Sequence, residues 1–477
     1  MQQQEPQSHG VLTETDVDDN RVAYESLRTR PDTRAERYAL GKSLRKNVPR
    51  RALAEWRIGA QDRDPIGLIE KNHEGRIPDL VAVRVARMAA SPYGFLRGSA
   101  VVMADDVARL PSTGITPVVC GDAHLGNVGF YASPERDLVM DLNDFDESHP
   151  GAWEWDLRRL VASTWVAGRE NGTSEKKCEE AVRACAGAYR DEMRYLAEQP
   201  LFSRSFERLD MDRLAHHASD SSLDSELKRA AKRARKRTSD RALPRFTAED
   251  KGERRIVEEP PLITRLPDAE AEMLAEGLDD YLQTLDPHWR RMLGGYTLVD
   301  VAHKVVGVGS VGLRAYVALL EGSSGDDVIF LQLKQARRSV LAQYVHGENA
   351  RHGHQGERVV EYQQALQTVS DPLLGWTTVD SRDFYVRQFR NMKGAVSLKK
   401  ISASALANYA GLAGRLLAKG QARTSGASMI AGYLGAGKNV DKAMARFARA
   451  YADQTEADHE ALLAAVKSGR LPMAEGA

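Results

Sequence analysis

Apolar positions recur along the chain with two periods, one near 3.6 residues and one of two, and these sort it into helices and strands. PDLVAVRVARMAAS, 78–91, has helical spacing. So does the basic run from Ala35 to Trp56, whose helix is expected to break near Pro49 because proline has no amide to donate. Both read as scaffold. ITPVVCGDAH, 115–124, is a short apolar run ending at Gly121 and predicts a strand feeding a loop that carries His124 and Asn127. DLVMDL predicts a second strand ahead of NDFDE, and WEWDLRRLVASTWVAG and residues 175–199 predict helices.

Between 219 and 260 the pattern changes to a serine-flanked, lysine- and arginine-rich helix followed by the polar connector TAEDKGERRIVEEPP, which marks the clearest internal boundary. Beyond it, 296–335 alternates as strands do around three glycines, ERVVEYQQALQTV predicts a helix and DFYVRQFRNMK a strand. From Ser402 onward the chain returns to alanine-rich helix. The expected division is a disordered arm at 1–35, loop-bearing elements with N-terminal helices at 36–218, a basic helix and connector at 219–260, a sheet at 261–400 and a helical segment at 401–477. The fold class is α+β.

A chain of 477 residues exceeds what one hydrophobic core supports, which predicts two or more lobes. The 67 basic and 67 acidic residues balance, so overall charge points to neither nucleic acid nor membrane. The basic helix KRAAKRARKR lacks interleaved aromatics and reads as a solvated face. Cys120, Cys178 and Cys185 are too few and too unevenly spaced for a disulfide framework, and no stretch is apolar for the about 18 residues that a membrane helix requires. With no apolar signal core near residue 1, a cytoplasmic location is expected.

Phosphoryl transfer asks a protein to position phosphates, hold a divalent cation and orient the acceptor hydroxyl, with little covalent chemistry of its own. In Gly121-Asp-Ala-His-Leu-Gly-Asn127, Asp122 is a candidate base and Asn127 offers a neutral oxygen to a metal. Asp144, in Asn143-Asp-Phe-Asp146, lies seventeen residues after Asn127, room for a strand, turn and strand, and would bring a carboxylate to the same ion. Hard oxygen donors of this type suit Mg2+. Asp146 is the competing choice.

These residues resemble the catalytic segment of aminoglycoside and choline phosphotransferases, whose pattern is Gly-Asp-x-His-x-x-Asn, then Ile-Asp-Phe/Trp, then Asp-Leu about a dozen residues on. Gly121-Asp122, His124, Asn127, Asp144-Phe145 and Asp156-Leu157 match it. The resemblance implies that Asp122 is the base, that Asn127 and Asp144 hold metal, and that His124 and Asp156 brace the loop. The histidine that the family places before Gly-Asp is replaced by Cys120.

The phosphate-holding half would be a glycine hairpin and a strand lysine. HKVVGVGSVGLRAYVALLEG carries Gly307, Gly309, Ser310 and Gly312 in GxGxxG spacing, and LRAYVALL continues as strand, whereas a dinucleotide-binding turn would open a helix. Lys334 follows in IFLQLKQA, with Glu361 its expected helix partner and Glu357 the alternative one turn earlier. Because this half follows the Gly-Asp loop by about 180 residues, the simplest arrangement is a two-lobed, protein-kinase-like fold, circularly permuted.

From about Ala35 to Gly435 the chain resembles the uncharacterised bacterial family known as domain of unknown function 2252, through SPYGFLRG, CGDAHLGN, LNDFDE, EWDLRRL, VGVGSVG, DPLLGW and YVRQ. It departs from that pattern at Gln335 and Asn391, where the family tends to have glutamate and aspartate. The expectation is an ATP- and Mg2+-dependent phosphotransferase acting on a hydroxyl, of a small molecule in preference to a protein. Nucleotidyl (AMP) transfer and a catalytically silent nucleotide-binding regulator stand as alternatives. Arg97 and Arg387 read as structural arginines or phosphate clamps, Trp153 and Trp155 as core, and His303, His346, His352 and His354 as residues outside any metal site.

Overall fold

A computed structural model describes residues 12–13, 32–56, 63–208, 221–250, 253–305, 307, 309–346 and 352–474. The arm expected at 1–35 lies almost wholly outside them. No helix among the described residues is long and apolar enough to cross a membrane.

Helix α1 (Arg34–Ser43) starts in a capping box between Thr33 and Glu36, and it gives way to short 3-10 turns on either side of Pro49. A run of short helices follows: α2 (Pro65–His73), α3 (Pro78–Ala89), α4 (Pro92–Gly98) and α5 (Ala100–Ala108). The first three begin with proline in the first turn, where the missing amide costs nothing. Strands β1 (Val118–Val119), β2 (Val128–Ala132), β3 (Leu138–Leu142) and β4 (His149–Pro150) form two small antiparallel pairs, β1 with β4 and β2 with β3. They frame the Gly-Asp and NDFDE loops.

Helix α6 (Trp153–Glu170) is buried from Trp153 to Gly168, because α7 (Glu175–Glu198) and three C-terminal helices surround it. Those are α13 (Ala403–Thr424), α14 (Ala427–Leu434) and α15 (Asn439–Lys467). Trp153 stacks on Tyr189 with centroids 5.7 Å apart, and one continuous core joins residues 53–197 to 336–452. The far end of α15 places Leu462 and Ala465 in a second small core with Ile66, Ile69 and Val85 from the N-terminal helices.

Helix α8 (Ser221–Ala234) buries Leu223, Leu227, Ala230, Ala231 and Ala234 and leaves Lys228, Arg229, Lys232 and Arg233 to solvent. Its basic residues therefore lie on a solvated face. The connector expected after it is ordered differently: α9 (Ser239–Phe246) leads into a hairpin of β5 (Thr247–Asp250) and β6 (Glu253–Ile256).

Six further strands make one antiparallel sheet in the order β11–β12–β10–β9–β8–β7, with β7 (Ile263–Arg265), β8 (Thr297–Lys304), β9 (Ala315–Glu321), β10 (Val328–Gln335), β11 (Gly375–Val379) and β12 (Arg382–Gln388), and Leu12–Thr13 pairs parallel with Val345–His346 apart from it. Two helices between β7 and β8 are additional, α10 (Asp268–Thr284) and α11 (Pro287–Leu293). Leu331 and Leu333 share a core with Leu274, Leu278 and Tyr281 of α10. Strand alternation then turns Gln332 and Lys334 to the opposite face, where Val317 and Phe330 pack with Ala242 and Ile256. Helix α12 (Gln355–Leu366) follows β10 and packs on β11 and β12.

Candidate functional site

The Gly-Asp loop owes its shape to three residues. Gly121 has φ +77°, and a Cβ there would lie 2.1 Å from the Glu147 carbonyl oxygen, so only glycine lets this loop touch the NDFDE loop. Asp156, in the first turn of α6, accepts from the amides of Cys120 at 2.7 Å and Gly121 at 2.9 Å. Burial lifts its carboxyl to about 6 against those bonds. One turn along α6, the Arg159 guanidinium donates to Asp122 Oδ1 and to the Leu96 carbonyl. Burial raises the Asp122 carboxyl to about 6, with Arg159 opposing.

His124 is buried, with Nε2 3.9 Å from Asp122 Oδ2 and its ring edge-on to Tyr93. Burial and the charges of Arg97 and Arg159 hold it well below the usual histidine range, so the ring is neutral. Its Nδ1 has no hydrogen-bond partner among the described residues. The loop hydrogen bonds come from elsewhere, with Ser163 Oγ accepting from Leu125 N and the Tyr93 hydroxyl from Gly126 N.

Asn127 is buried and ties the two loops together. Its amide nitrogen donates to the carbonyls of Asp144 at 2.9 Å and Asp122 at 3.2 Å, and its Oδ1 accepts from Asn143 N at 3.3 Å. The amide nitrogen is thus the strut, and Oδ1 accepts only that longer bond, from an amide that also donates to the Asn127 carbonyl at 3.0 Å. Asp144, by contrast, has a side chain 51 % exposed, with Oδ1 3.8 Å from Lys334 Nζ.

Lys334 on β10 is 5 % exposed and reaches across to the same loop: Nζ lies 2.9 and 3.2 Å from the two oxygens of Asp146. The sheet register places Tyr385 opposite Lys334, and the Tyr385 hydroxyl donates to Asp146 Oδ1 at 2.7 Å. Ser310 Oγ donates to Asp146 Oδ2 at 2.9 Å. Burial opposes ionisation of both partners. The opposite charges outweigh it, so Lys334 is raised by Asp144 and Asp146, and Asp146 is depressed by Lys334 and Tyr385. Arg387 adds positive charge to this side of Asp144, whereas burial, then Arg387 and Lys334, push Lys393 well below the usual lysine range.

The glycine segment lies between β8 and β9, so the chain continues as strand and not as the helix of a dinucleotide-binding turn. Gly307 and Gly312 need positive φ, +62° and +87°, while Gly309 has no close neighbour on its Cβ side. The N-terminal helices hold this loop: Arg87 donates to the Gly307 carbonyl, and Arg76 to those of Gly309 and Val311. The cleft beneath is lined by Asp122, His124, Asp144 and Asp146, by Gly307, Gly309 and Ser310, and by Arg76, Arg84, Arg97 and Arg337.

One expected pairing fails. Glu361 does not meet Lys334; its side chain is 59 % exposed and pairs with His352 Nε2 at 2.7 Å. Glu357 makes no contact with Lys334 either, its backbone amide being capped by His354 Nδ1. The residue that α12 sends toward the site is Arg358, buried, which donates to the carbonyls of Asp146, Ser148 and Arg337. Lys334 is satisfied by the NDFDE carboxylates instead. His303 packs against Tyr316, and residues 347–351 and the His346 side chain lie outside the described residues. Arg159, Arg358 and Tyr385 are site residues that the motifs did not single out.

Among the described residues no three of histidine, cysteine, aspartate and glutamate gather as a metal cage. The chemistry of the donors nonetheless fits Mg2+, which characteristically takes one or two carboxylates and completes its shell with water and phosphate oxygens. Asp144, half-exposed on the cleft wall, is the carboxylate available. Asp146 already accepts from three donors, Lys334, Tyr385 and Ser310.

The molecule is thus an α+β protein whose six-stranded sheet and helical core meet at a charged cleft. The chain belongs to the family described as uncharacterized protein conserved in bacteria, domain of unknown function 2252, whose model matches residues 76–465. No curated protein and no solved structure matches it.

Proposed function

We propose that this cleft is the site of an ATP- and Mg2+-dependent phosphotransferase acting on a hydroxyl, built as a two-lobed, kinase-like fold in permuted order. One observation carries the reading. Lys334 follows the glycine segment by one hairpin, and it meets Asp146 and Asp144 of a loop 188 residues earlier in sequence, with Asp122 on the same cleft. A lysine beneath a glycine loop, an exposed carboxylate and a second carboxylate at a base position are the parts that phosphoryl transfer requires.

In this reading Lys334, Arg387 and the amides around Gly309 hold phosphate oxygens, and Asp144 holds the cation. The bound Mg2+ would neutralise charge on the phosphates. Asp122, fixed by Arg159, accepts the acceptor proton as the new oxygen–phosphorus bond forms and the bond to the departing ADP breaks. A carboxyl near 6 is matched to that task close to neutral pH. Thermal stabilisation by Mg-ATP is expected for the wild type and is expected to be lost in Asp144→Asn and Lys334→Ala, since ligand stabilisation follows affinity. Equal shifts in all three proteins would remove the site. Label from α-labelled ATP appearing in the product would instead establish nucleotidyl transfer.

A further inference from the structure

We infer that Arg76, Arg84 and Arg97 form an anion subsite beside Asp122, and that it takes a phosphoryl group carried by the hydroxyl acceptor. The inference builds on the phosphotransferase reading by naming the acceptor class, although the subsite itself rests on geometry independent of it.

Three arginines enter one cleft wall, Arg84 from α3, Arg97 from α4 and Arg76 from the turn between α2 and α3, and none has a carboxylate within ion-pair distance among the described residues. Arg84 is 1 % exposed, yet its guanidinium meets only neutral groups: His73 Nε2 at 2.7 Å, Asn72 Oδ1 at 3.3 Å and the Gly98 carbonyl. Its Nε is buried with no hydrogen-bond partner among the described residues. Arg76, also buried, donates to Asn72 and to the carbonyls of Gly309 and Val311. Arg97 makes no hydrogen bond or ion pair among the described residues, and its Nε is likewise buried and unpartnered.

Burying guanidinium charge without an opposite charge is costly, so a wall of this kind is completed by an anion. The acids of the cleft, Asp122, Asp146 and Glu147, act on these arginines only from beyond ion-pair distance. His73 is held neutral, near 4, by burial and by Arg84 and Arg76. Glu147 shares the cleft; burial lifts it to about 6, and one of its oxygens is spent on the Val340 amide at 2.8 Å. Guanidinium forks match the tetrahedral oxyanion of a phosphoryl group through paired N–H donors.

Within this one cleft Arg76 also borders the glycine segment, and it is Arg97 that marks the acceptor side. Lys334 and Arg387 serve the Asp144 side of the cleft, whereas Arg97 acts on Asp122 and His124, where the acceptor hydroxyl must sit. The same sign of charge disfavours a cationic acceptor such as an aminoglycoside or choline.

The probe is inorganic phosphate, titrated against chloride at matched ionic strength and followed by thermal shift and calorimetry. The titration is run with and without a saturating non-hydrolysable Mg-ATP analogue. Saturable phosphate binding is expected in the wild type, persisting beside the nucleotide analogue. Arg97→Gln is expected to weaken it at least tenfold while leaving the nucleotide shift intact, and Arg97→Lys to recover part of the loss. The Arg97 variants are chosen because Arg97 has no structural bond to lose, whereas Arg84→Gln endangers folding. The inference is overturned by no saturable phosphate binding in the wild type, by Arg97→Gln within twofold of it, or by phosphate and nucleotide competing while Arg97→Gln weakens both. If phosphate binds as expected and Mg-ATP does not bind the wild type, the subsite stands and the phosphotransferase reading falls.

Discussion

The bond between Lys334 and Asp146 fastens the sheet to the helical core, and a double-mutant cycle measures it. At 2.9 Å and an effective dielectric near 20 the attraction is roughly 6 kcal/mol before desolvation, and burying the two charges removes several kcal/mol of that. Lys334→Met leaves Asp146 with the hydroxyls of Tyr385 and Ser310, so its cost is expected below the ~3–5 kcal/mol typical of an orphaned buried charge, at ~2–3 kcal/mol. Asp146→Asn leaves Lys334 facing Asp144 at 3.8 Å and is expected to cost ~2 kcal/mol. In the double variant both charges are gone and nothing is orphaned, so it is expected to be more stable than the sum of the singles by at least ~1 kcal/mol, within the range for residues in contact. Urea unfolding of the four proteins gives the numbers. Additivity within ~0.5 kcal/mol would refute the pairing, and with it the claim that β10 docks on the NDFDE loop.

Asp122→Asn is expected to lower turnover by roughly 10²–10⁴-fold with Mg-ATP stabilisation retained, and an unchanged turnover number would remove Asp122 as base. Because the base must be ionised, the wild-type rate is expected to rise with pH through about 6, where burial places Asp122, and a rate flat from pH 5 to 8 would contradict that assignment. Gly121→Ala forces a Cβ against the Glu147 carbonyl at positive φ and is expected to cost ~2–3 kcal/mol, whereas Gly309→Ala, with its nearest neighbour 3.7 Å away, is expected to fold as the wild type does; circular dichroism melts compare the two. Glu361→Ala removes only an exposed pair and is expected to change stability by less than ~1 kcal/mol, while Arg358→Met strands three carbonyls of the site loops and is expected to destabilise strongly.

The site was legible where chemistry and spacing coincide within one element. Asp122, Asp144, Gly307 and Lys334 were found because a loop motif and a strand lysine are local signals, and the strand after Gly312 was legible from alternation. Partner choice was not. Glu361 and Glu357 lie on the helix after β10, but which face of that helix meets the site depends on its rotation, and the buried Arg358 shows that the helix presents a donor to backbone instead. Asp156 and Arg159, three apart, share a face of α6, a spacing that points both at the same loop. Tyr385 required the β10–β12 register, which no short-range pattern fixes. The hairpin at 247–256 read as connector because its residues are mostly polar, and α10 was passed over although Leu274, Leu278 and Tyr281 have helical spacing.

The N-terminal helices change most between sequence and structure. PDLVAVRVARMAAS read as scaffold from its apolar face, and that face does pack, with Val85 and Met88 in a core shared with Leu462 of α15. Its polar positions have a separate task. Arg84, with Arg76 and Arg97, lines the cleft from a direction that neither the Gly-Asp loop nor the sheet covers, while Arg87, three residues further along α3, reaches the Gly307 carbonyl. Arg87 and Arg76 grip the glycine segment by its carbonyls, so any anion that settles among these arginines competes for, or reinforces, the bonds that hold that loop down. Of the two, Arg76 alone also lines the cleft, so any coupling between occupancy beside Asp122 and the glycine segment runs through Arg76 and not through Arg87. Arg87→Gln is accordingly expected to leave phosphate affinity within about twofold and to raise hydrogen exchange of the amides around Gly309, since it frees the loop without touching the cleft wall. Unchanged exchange there would show that the loop is held by Arg76 alone.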